Sequence, residues 1–308
     1  MGKEIKNILI IGGTGFIGSH LVNKCSSLGW KVISASLSLP VKKKRNKKVK
    51  YHKVDLTNFS SIKKKFNMPF NYIVNVAGYI NHSNSKKDYN KIMKEHFVSV
   101  KNIIKVIPRK NLEKFVQIGS SDEYGLGKAP QSEKTKLSPK STYSKAKAKT
   151  ANFLKKMYLK EKYPYAIARL FLTYGPGQKK NRFISQIING SIKDKNFPTT
   201  SGEQIRDFCY IDDTVSAILL ILRDKKAVGQ VFNVATGIPV KIKTVINLIT
   251  KIVGKGTPQF NKRGLREGEN EILYANIKKI KKILNWKPKI NLQKGLKKTI
   301  KAFKKNDN

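Results

Sequence analysis

Tyr143 and Lys147 stand four residues apart in the stretch YSKAK (143–147). On a helix that spacing puts both side chains on one face, with an ammonium close to a phenol. A nearby positive charge stabilises phenolate and lowers the tyrosine pKa toward neutral pH, as a general acid/base requires. In a chain with 64 Lys and Arg, such a pair arises easily by chance and needs supporting residues. Ser120 is one, because it ends the apolar run FVQIG (115–119), where its hydroxyl can hydrogen-bond the same reacting oxygen. Ser121, Asp122 and Glu123 follow at once, two adjacent acids in a chain that holds only 19. Each acid is either a second proton-transfer group or an anchor for the loop.

A different set of residues suits phosphate chemistry. ILIIGGTGFIGSHL places Gly12, Gly15 and Gly18 after an apolar strand and at the start of an amphipathic helix. Glycines there permit a tight turn and close backbone approach, so that a helix N-terminus can face a pyrophosphate. A carboxylate at the end of the second strand usually holds the ribose hydroxyls of such a ligand. KVISAS ends instead in Ser36, which cannot repel a 2′-phosphate, and Lys42, Lys43, Lys44 and Arg45 follow. The cofactor expected is NAD or NADP, with the balance toward NADP. Asp55, in VDLTN, is placed either to contact adenine or to cap the next helix.

Positioning these residues calls for alternating strands and helices. Short β-branched runs predict strands at 7–11, 31–35, 49–54, 72–77, 115–119, 165–170 and 230–234. Helical patterns fall at 16–28, 91–106, 143–161, 182–191, 212–223, 240–253 and 276–284. Strands without polar alternation are buried on both faces, which predicts an α/β fold with a Rossmann-type doubly wound parallel sheet. Residues 1–170, with a returning segment around 205–235, are expected to form the dinucleotide-binding domain. Residues 171–204 and 236–308 are expected to form a smaller α/β substrate-binding domain. The basic stretch 41–50 reads as a solvated loop, and 303–308 as a frayed tail.

The formal net charge is +45, which raises the question of nucleic acid. Only eight of the basic residues are arginine and the rest are lysines spread along the helical patterns. Base readout leans on arginine, so no nucleic-acid partner is expected, and the charge serves to attract small anions. Cys25 and Cys209 are far apart with no metal-ligand spacing, so no metal is expected and a reduced, cytoplasmic compartment fits. No apolar run approaches the roughly 18 residues that cross a bilayer, and the N-terminal MGKEIKNILIIGG reads as a first strand rather than a signal peptide. No membrane partner is expected.

Over nearly its whole length the chain resembles the extended short-chain dehydrogenase/reductases, the NAD(P)-dependent epimerase/dehydratase family acting on nucleotide sugars. The resemblance rests on GGTGFIGSH (12–20), VDL (54–56), NVAG (75–78), SSDEYG (120–125), YSKAK (143–147), RLFLTYGPGQ (169–178), RDFCYIDD (206–213), FNVATG (232–237) and REGE (266–269). It implies Tyr143 as acid/base, Lys147 lowering its pKa and holding the nicotinamide ribose, and Ser120 polarising the sugar oxygen. Cofactor contacts are implied at Gly12, Gly15, Phe16, Ile17 and Gly18, at Ser36, Asp55 and Leu56, and at Val76, Ala77 and Gly78. Ser121, Arg206 and Arg266 would contact substrate, the two arginines gripping a diphosphate through their forked donors. A homodimer is also implied.

The chain departs from that family at three places. Asn75 stands where histidine is frequent, His96 where asparagine is frequent, and Leu172 where asparagine commonly meets substrate. His52 and His82 read as ordinary surface or packing histidines, and Asp212 and Asp213 as caps for a helix beginning near Thr214. Three reactions use this machinery: 4-epimerisation, 4-ketoreduction and 4,6-dehydration. Counting back from Tyr124, Asp122 takes the dehydratase glutamate position, one methylene short, and Glu123 falls one place late. Epimerase or 4-ketoreductase is the reading preferred, with dehydratase, using Asp122, as the alternative. A non-catalytic nucleotide- or RNA-binding protein on the same fold is the alternative of another class, and intact Tyr143, Lys147 and glycines argue against it.

Overall fold

The computed structural model describes residues 5–78, 86–264 and 270–306. The first strand, β1 (Asn7–Ile11), shows how the sheet is built: Ile8, Leu9, Ile10 and Ile11 are all fully buried. A strand apolar on both faces must lie between two layers of helices, and each such side chain contributes about 1.5–3 kcal/mol through burial. The helix α1 (Phe16–Ser27) follows, then β2 (Lys31–Ser36), β3 (Val49–Lys53), α2 (Phe59–Phe66) and β4 (Tyr72–Asn75). Next come α3 (Lys86–Met93), a π-helical segment over Lys94–Val98, and α4 (Ser99–Val106). β5 (Lys114–Ser120), α5 (Thr142–Glu161) and β6 (Tyr165–Leu170) complete the first half.

The second half runs β7 (Leu172–Tyr174), α6 (Phe183–Ile192), β8 (Asn196–Pro198), β9 (Ile205–Arg206), β10 (Phe208–Tyr210), α7 (Ile211–Arg223) and β11 (Gln230–Val234). It ends with β12 (Val240–Lys241), α8 (Ile242–Val253), β13 (Thr257–Gln259), β14 (Ile272–Leu273), α9 (Lys278–Leu284) and α10 (Leu292–Asn306). The main sheet has seven strands in the order β11-β6-β5-β4-β1-β2-β3. The pairs β3–β2, β2–β1, β1–β4 and β4–β5 are parallel. The chain winds outward from β1 to β3 and then crosses to β4 on the other side of β1. The crevice beyond the C-terminal ends of β1 and β4 is therefore the topological switch point, where doubly wound sheets bind ligands.

The chain divides into two compact units. The first comprises 1–125, 136–169 and 215–232, and the second 126–135, 170–214 and 233–308. In the first, Leu9, Ile11, Ile73, Val100, Ile103, Phe115, Leu154 and Ile167 belong to one buried cluster between sheet and helices. In the second, α6 packs on α8, and α10 packs on α8 and β10. Its centre is Asp207, 1% exposed, whose carboxylate accepts from Thr236 N and Oγ1, Gly237 N and Ala275 N at 2.6–3.3 Å.

Some elements end or break elsewhere than their patterns predict. The strand predicted at 72–77 ends at Asn75, whose Oδ1 accepts from Ala77 N at 3.2 Å and turns the chain. The helix predicted at 91–106 is broken by the π-helical segment. The tail expected at 303–308 begins as the end of α10, whose Leu296, Ile300 and Phe303 are buried. Among the described residues no helix is long and apolar enough to cross a membrane.

Candidate active site

The glycine turn sits at the switch point. Gly12 N donates to Ala35 O at 2.7 Å, fastening the end of β1 to β2, and Gly15 N donates to Gly12 O at 3.0 Å. Gly12 has φ +81° and lies so close to Ala77 N that a Cβ would come within 2.7 Å of it. Gly18 is pressed on Gly12 O and Gly13 Cα, where a Cβ would collide with both. This brings the N-terminus of α1 against the turn. Its first turn carries no acidic side chain, so the positive end of the helix is left for an anion. Phe16 and Ile17 open that helix, half-buried, and Val76, Ala77 and Gly78 line the exit from β4.

At the end of β2, the Ser36 hydroxyl accepts from Thr14 N at 3.3 Å. Ser36 O accepts from Val54 N at 2.9 Å, which ties β3 alongside. Asp55 follows, exposed, with Oδ1 accepting from Thr57 N and Thr57 Oγ1, both at 2.8 Å. Helix α2 is capped instead by Asn58, which accepts from Ser61 N at 3.0 Å. Leu56 packs partly buried against the core.

Tyr143 and Lys147 lie on the buried face of α5, 6% and 5% exposed. Ser141 caps that helix by accepting from Ser144 N. The Lys147 Nζ is 5.8 Å from the centre of the Tyr143 ring and donates to Ile118 O at 2.8 Å. That bond joins α5 to the strand that ends in Ser120. Burial pushes the Lys147 pKa down to about 8, while the charge of Glu123 works in the other direction. Tyr143, Ile92 and Ala146 form a small buried cluster. The ring of His96, 2% exposed, meets Tyr143 edge-on at 5.1 Å. Its carbonyl accepts from Thr150 Oγ1 at 2.9 Å. Asn75 is also buried, donating through Nδ2 to Gln117 Oε1 at 2.9 Å.

The two adjacent acids have separate fates. Glu123 is fully buried: one oxygen accepts from Ser120 N at 2.8 Å and the other from Arg169 Nη2 at 2.8 Å. Ser120 Oγ accepts in turn from Asp122 N at 3.2 Å, which completes a capping box over Ser121–Tyr124. Arg169, 3% exposed, also lies 4.5 Å over the Tyr124 ring. Burial opposes its charge, but Glu123 and Tyr124 outweigh burial and hold its pKa above the ordinary value. Asp122 is only partly buried, and its carboxylate bonds to none of the described residues. Ser121 is buried beneath it. Nothing local marks Arg169 as the partner of Glu123, 46 residues away; the pair forms because β6 lies beside β5.

In the second unit, Arg206 is 7% exposed and donates through Nη1 to Ile205 O and Glu271 O at 2.9 and 3.1 Å. Arg266 and His82 lie outside the described residues. Leu172 pairs with Phe208 between β7 and β10. The expectation that Asp212 and Asp213 cap a helix near Thr214 is corrected: α7 starts at Ile211, so both lie in its first turn. Asp213 accepts from Lys289 N and Ile290 N at 3.0 and 2.9 Å, holding the chain ahead of α10. Cys25 and Cys209 are buried free thiols whose pKa burial raises, so neither is a ready nucleophile. Among the described residues no three His, Cys, Asp or Glu side chains gather as a metal site would need.

A switch-point glycine turn together with a Ser, Tyr and Lys at the ends of β5 and α5 defines a Rossmann-fold enzyme class. The model of the NAD dependent epimerase/dehydratase family matches residues 8–235, and the chain belongs to that family. A dTDP-D-glucose 4,6-dehydratase of Dictyostelium discoideum is 27% identical over 285 residues, covering 79% of this chain and 62% of that protein. The solved UDP-glucose 4-epimerase of Thermotoga maritima, with UDP-glucose, superposes with a TM-score of 0.89 at 25% identity, covering 98% of this chain and all (100%) of that one. A dTDP-glucose 4,6-dehydratase of Bacillus anthracis in complex with NAD shares the fold, with a TM-score of 0.85 at 24% identity and 98% and 97% coverage.

Proposed function

We propose that this protein is an NAD(P)-dependent nucleotide-sugar enzyme acting by hydride transfer at the sugar C4, as a 4-epimerase or 4-ketoreductase. The observation that carries this is the Tyr143–Lys147 pair, bound through Lys147 Nζ to Ile118 O, two residues before Ser120. The glycine turn fits a dinucleotide, since it is packed too tightly for a side chain at Gly12 or Gly18 and the first turn of α1 carries no acid to oppose a pyrophosphate. Gly12, Gly15, Phe16, Ile17 and Gly18 would hold its pyrophosphate, Ser36, Asp55 and Leu56 its adenosine, and Val76, Ala77, Gly78 and Lys147 its nicotinamide riboside. When bound, the nicotinamide exchanges hydride with the sugar carbon.

The chain's own residues handle the proton. Tyr143, as phenolate, takes the proton of the C4 hydroxyl as the carbon is oxidised and returns it on reduction. Lys147 makes the phenolate accessible near neutral pH, and the Ser120 hydroxyl donates to the same oxygen. Ser121 is assigned to the sugar, and Arg206 and Arg266 of the second unit to the nucleotide diphosphate. The protein is taken to act as a homodimer. A dehydratase is the second reading, favoured by the Asp122 carboxylate, which bonds to none of the described residues and would then remove the C5 proton and assist loss of water.

Incubation with UDP-, dTDP-, GDP- and CDP-hexoses and their 4-keto forms, with and without NADPH, separates these readings by mass spectrometry. Unchanged mass with new stereochemistry marks an epimerase, gain of two hydrogens a reductase, and loss of water a dehydratase. Tyr143→Phe is expected to abolish turnover and to leave cofactor binding intact; full turnover in that variant refutes the mechanism.

A further inference from the structure

Beyond Ser36 the structure holds a cavity of about 290 Å³, lined by Leu37, Lys53, Val54, Asp55, Ser61, Lys64 and Lys65. Lys53 ends β3 in register with Ser36 of β2. Lys64 and Lys65 come from α2, three and four residues after Ser61, so all three project from one helix face. None of the three ammoniums has a hydrogen bond or ion pair with a described residue. The single acid in the lining, Asp55, has one oxygen committed to Thr57. Beside this lining, burial and the charges of Lys50 and Lys65 hold His52 below its ordinary pKa. Lys42–Lys44, by contrast, form an exposed turn outside this lining.

We propose that Lys53, Lys64 and Lys65 form a subsite for the 2′-phosphate of NADP(H). The inference rests on the dinucleotide reading above and deepens it. The pyrophosphate belongs to the N-terminus of α1, and Ser36 marks the ribose end, so a group on the 2′-oxygen projects past β2 toward β3. A phosphomonoester carries about −1.5 to −2 charge at neutral pH. It can pair with the ammoniums of the three lysines in the lining, which a 2′-hydroxyl cannot do.

Titration calorimetry with NADPH and NADH tests this on the intact chain and on surface variants that leave the core alone. NADPH is expected to bind at least about tenfold tighter than NADH, since each charge-assisted contact is worth that order. Lys53→Gln/Lys64→Gln/Lys65→Gln is expected to remove the gap by weakening NADPH alone, and Lys63→Gln, exposed on the same helix outside the cavity, to leave both affinities in place. Inorganic phosphate is expected to weaken NADPH binding more than NADH binding, since only the former uses both anion sites. Equal affinities in the wild type, an unchanged gap in the triple variant, or an equal loss in Lys63→Gln would overturn the subsite while leaving the cofactor reading standing. Binding of neither dinucleotide would overturn both.

Discussion

Removing the Glu123 carboxylate, as in Glu123→Ala, is expected to destabilise the first unit severely although Glu123 touches no substrate in the proposed mechanism. The pair with Arg169 is buried on both sides, 0% and 3% exposed, at 2.8 Å. Because Glu123 and Tyr124 keep Arg169 charged against the cost of burial, the variant leaves a cation in the core and not a neutral side chain. Breaking a buried pair from one side costs about 3–5 kcal/mol. The lost bond from Ser120 N adds about 1 kcal/mol. For a domain of this size each kcal/mol lowers Tm by roughly 2–4 °C, so a fall on the order of 10 °C is expected by calorimetry or circular dichroism. Removing both partners, as in Glu123→Met/Arg169→Met, is expected to recover most of that loss, because no unpaired charge remains. Turnover of Glu123→Ala should also fall about tenfold at temperatures where it is folded, since Ser120 loses its anchor. A Tm unchanged in Glu123→Ala, or a double variant no more stable than the single one, would refute the reasoning.

Lys147 carries a stability cost that can be read against pH. Its folded pKa of about 8 lies below the ordinary 10.5, so the unfolded chain binds the proton more tightly and stability rises with pH between those values. Lys147→Met is expected to raise Tm at pH 7 while abolishing turnover, with the gain shrinking toward pH 10; an unchanged or lower Tm at pH 7 contradicts this. Gly18→Ala places a methyl group against Gly12 O and Gly13 Cα, and is expected to cost about 1–3 kcal/mol and at least tenfold in dinucleotide affinity. Retained affinity for NADH and NADPH would remove the phosphate role of the turn. Asp207→Ala strips an acceptor from Thr236, Gly237 and Ala275. With about 1–3 kcal/mol at stake for each buried donor left unsatisfied, the second unit is expected to melt well below wild type, and a coincident melt would count against Asp207 as its centre.

Local patterns along the chain determined a good deal. The apolar run before Gly12 and the unalternating strands that follow define a parallel, doubly wound sheet, because a strand such as NILII can only be buried on both faces. The pairing of Tyr143 with Lys147 is a matter of helical spacing, and the start and end of α5 follow from its cap and its periodicity. What depends on residues far apart in sequence was decided only by tertiary structure. Asp122 and Glu123 are adjacent and chemically alike, yet one is locked to Arg169 across the sheet and the carboxylate of the other bonds to none of the described residues. Nothing local distinguishes them, since Arg169 lies on another strand. The lysines show the same division. In a chain this basic their number says little, and Lys42–Lys44 were the natural candidates beside Ser36 by sequence. Only the register of β3 against β2 and the side that α2 turns to solvent put Lys53, Lys64 and Lys65 around one cavity, because charge density at a point depends on where side chains lie in space and not on how many the chain contains.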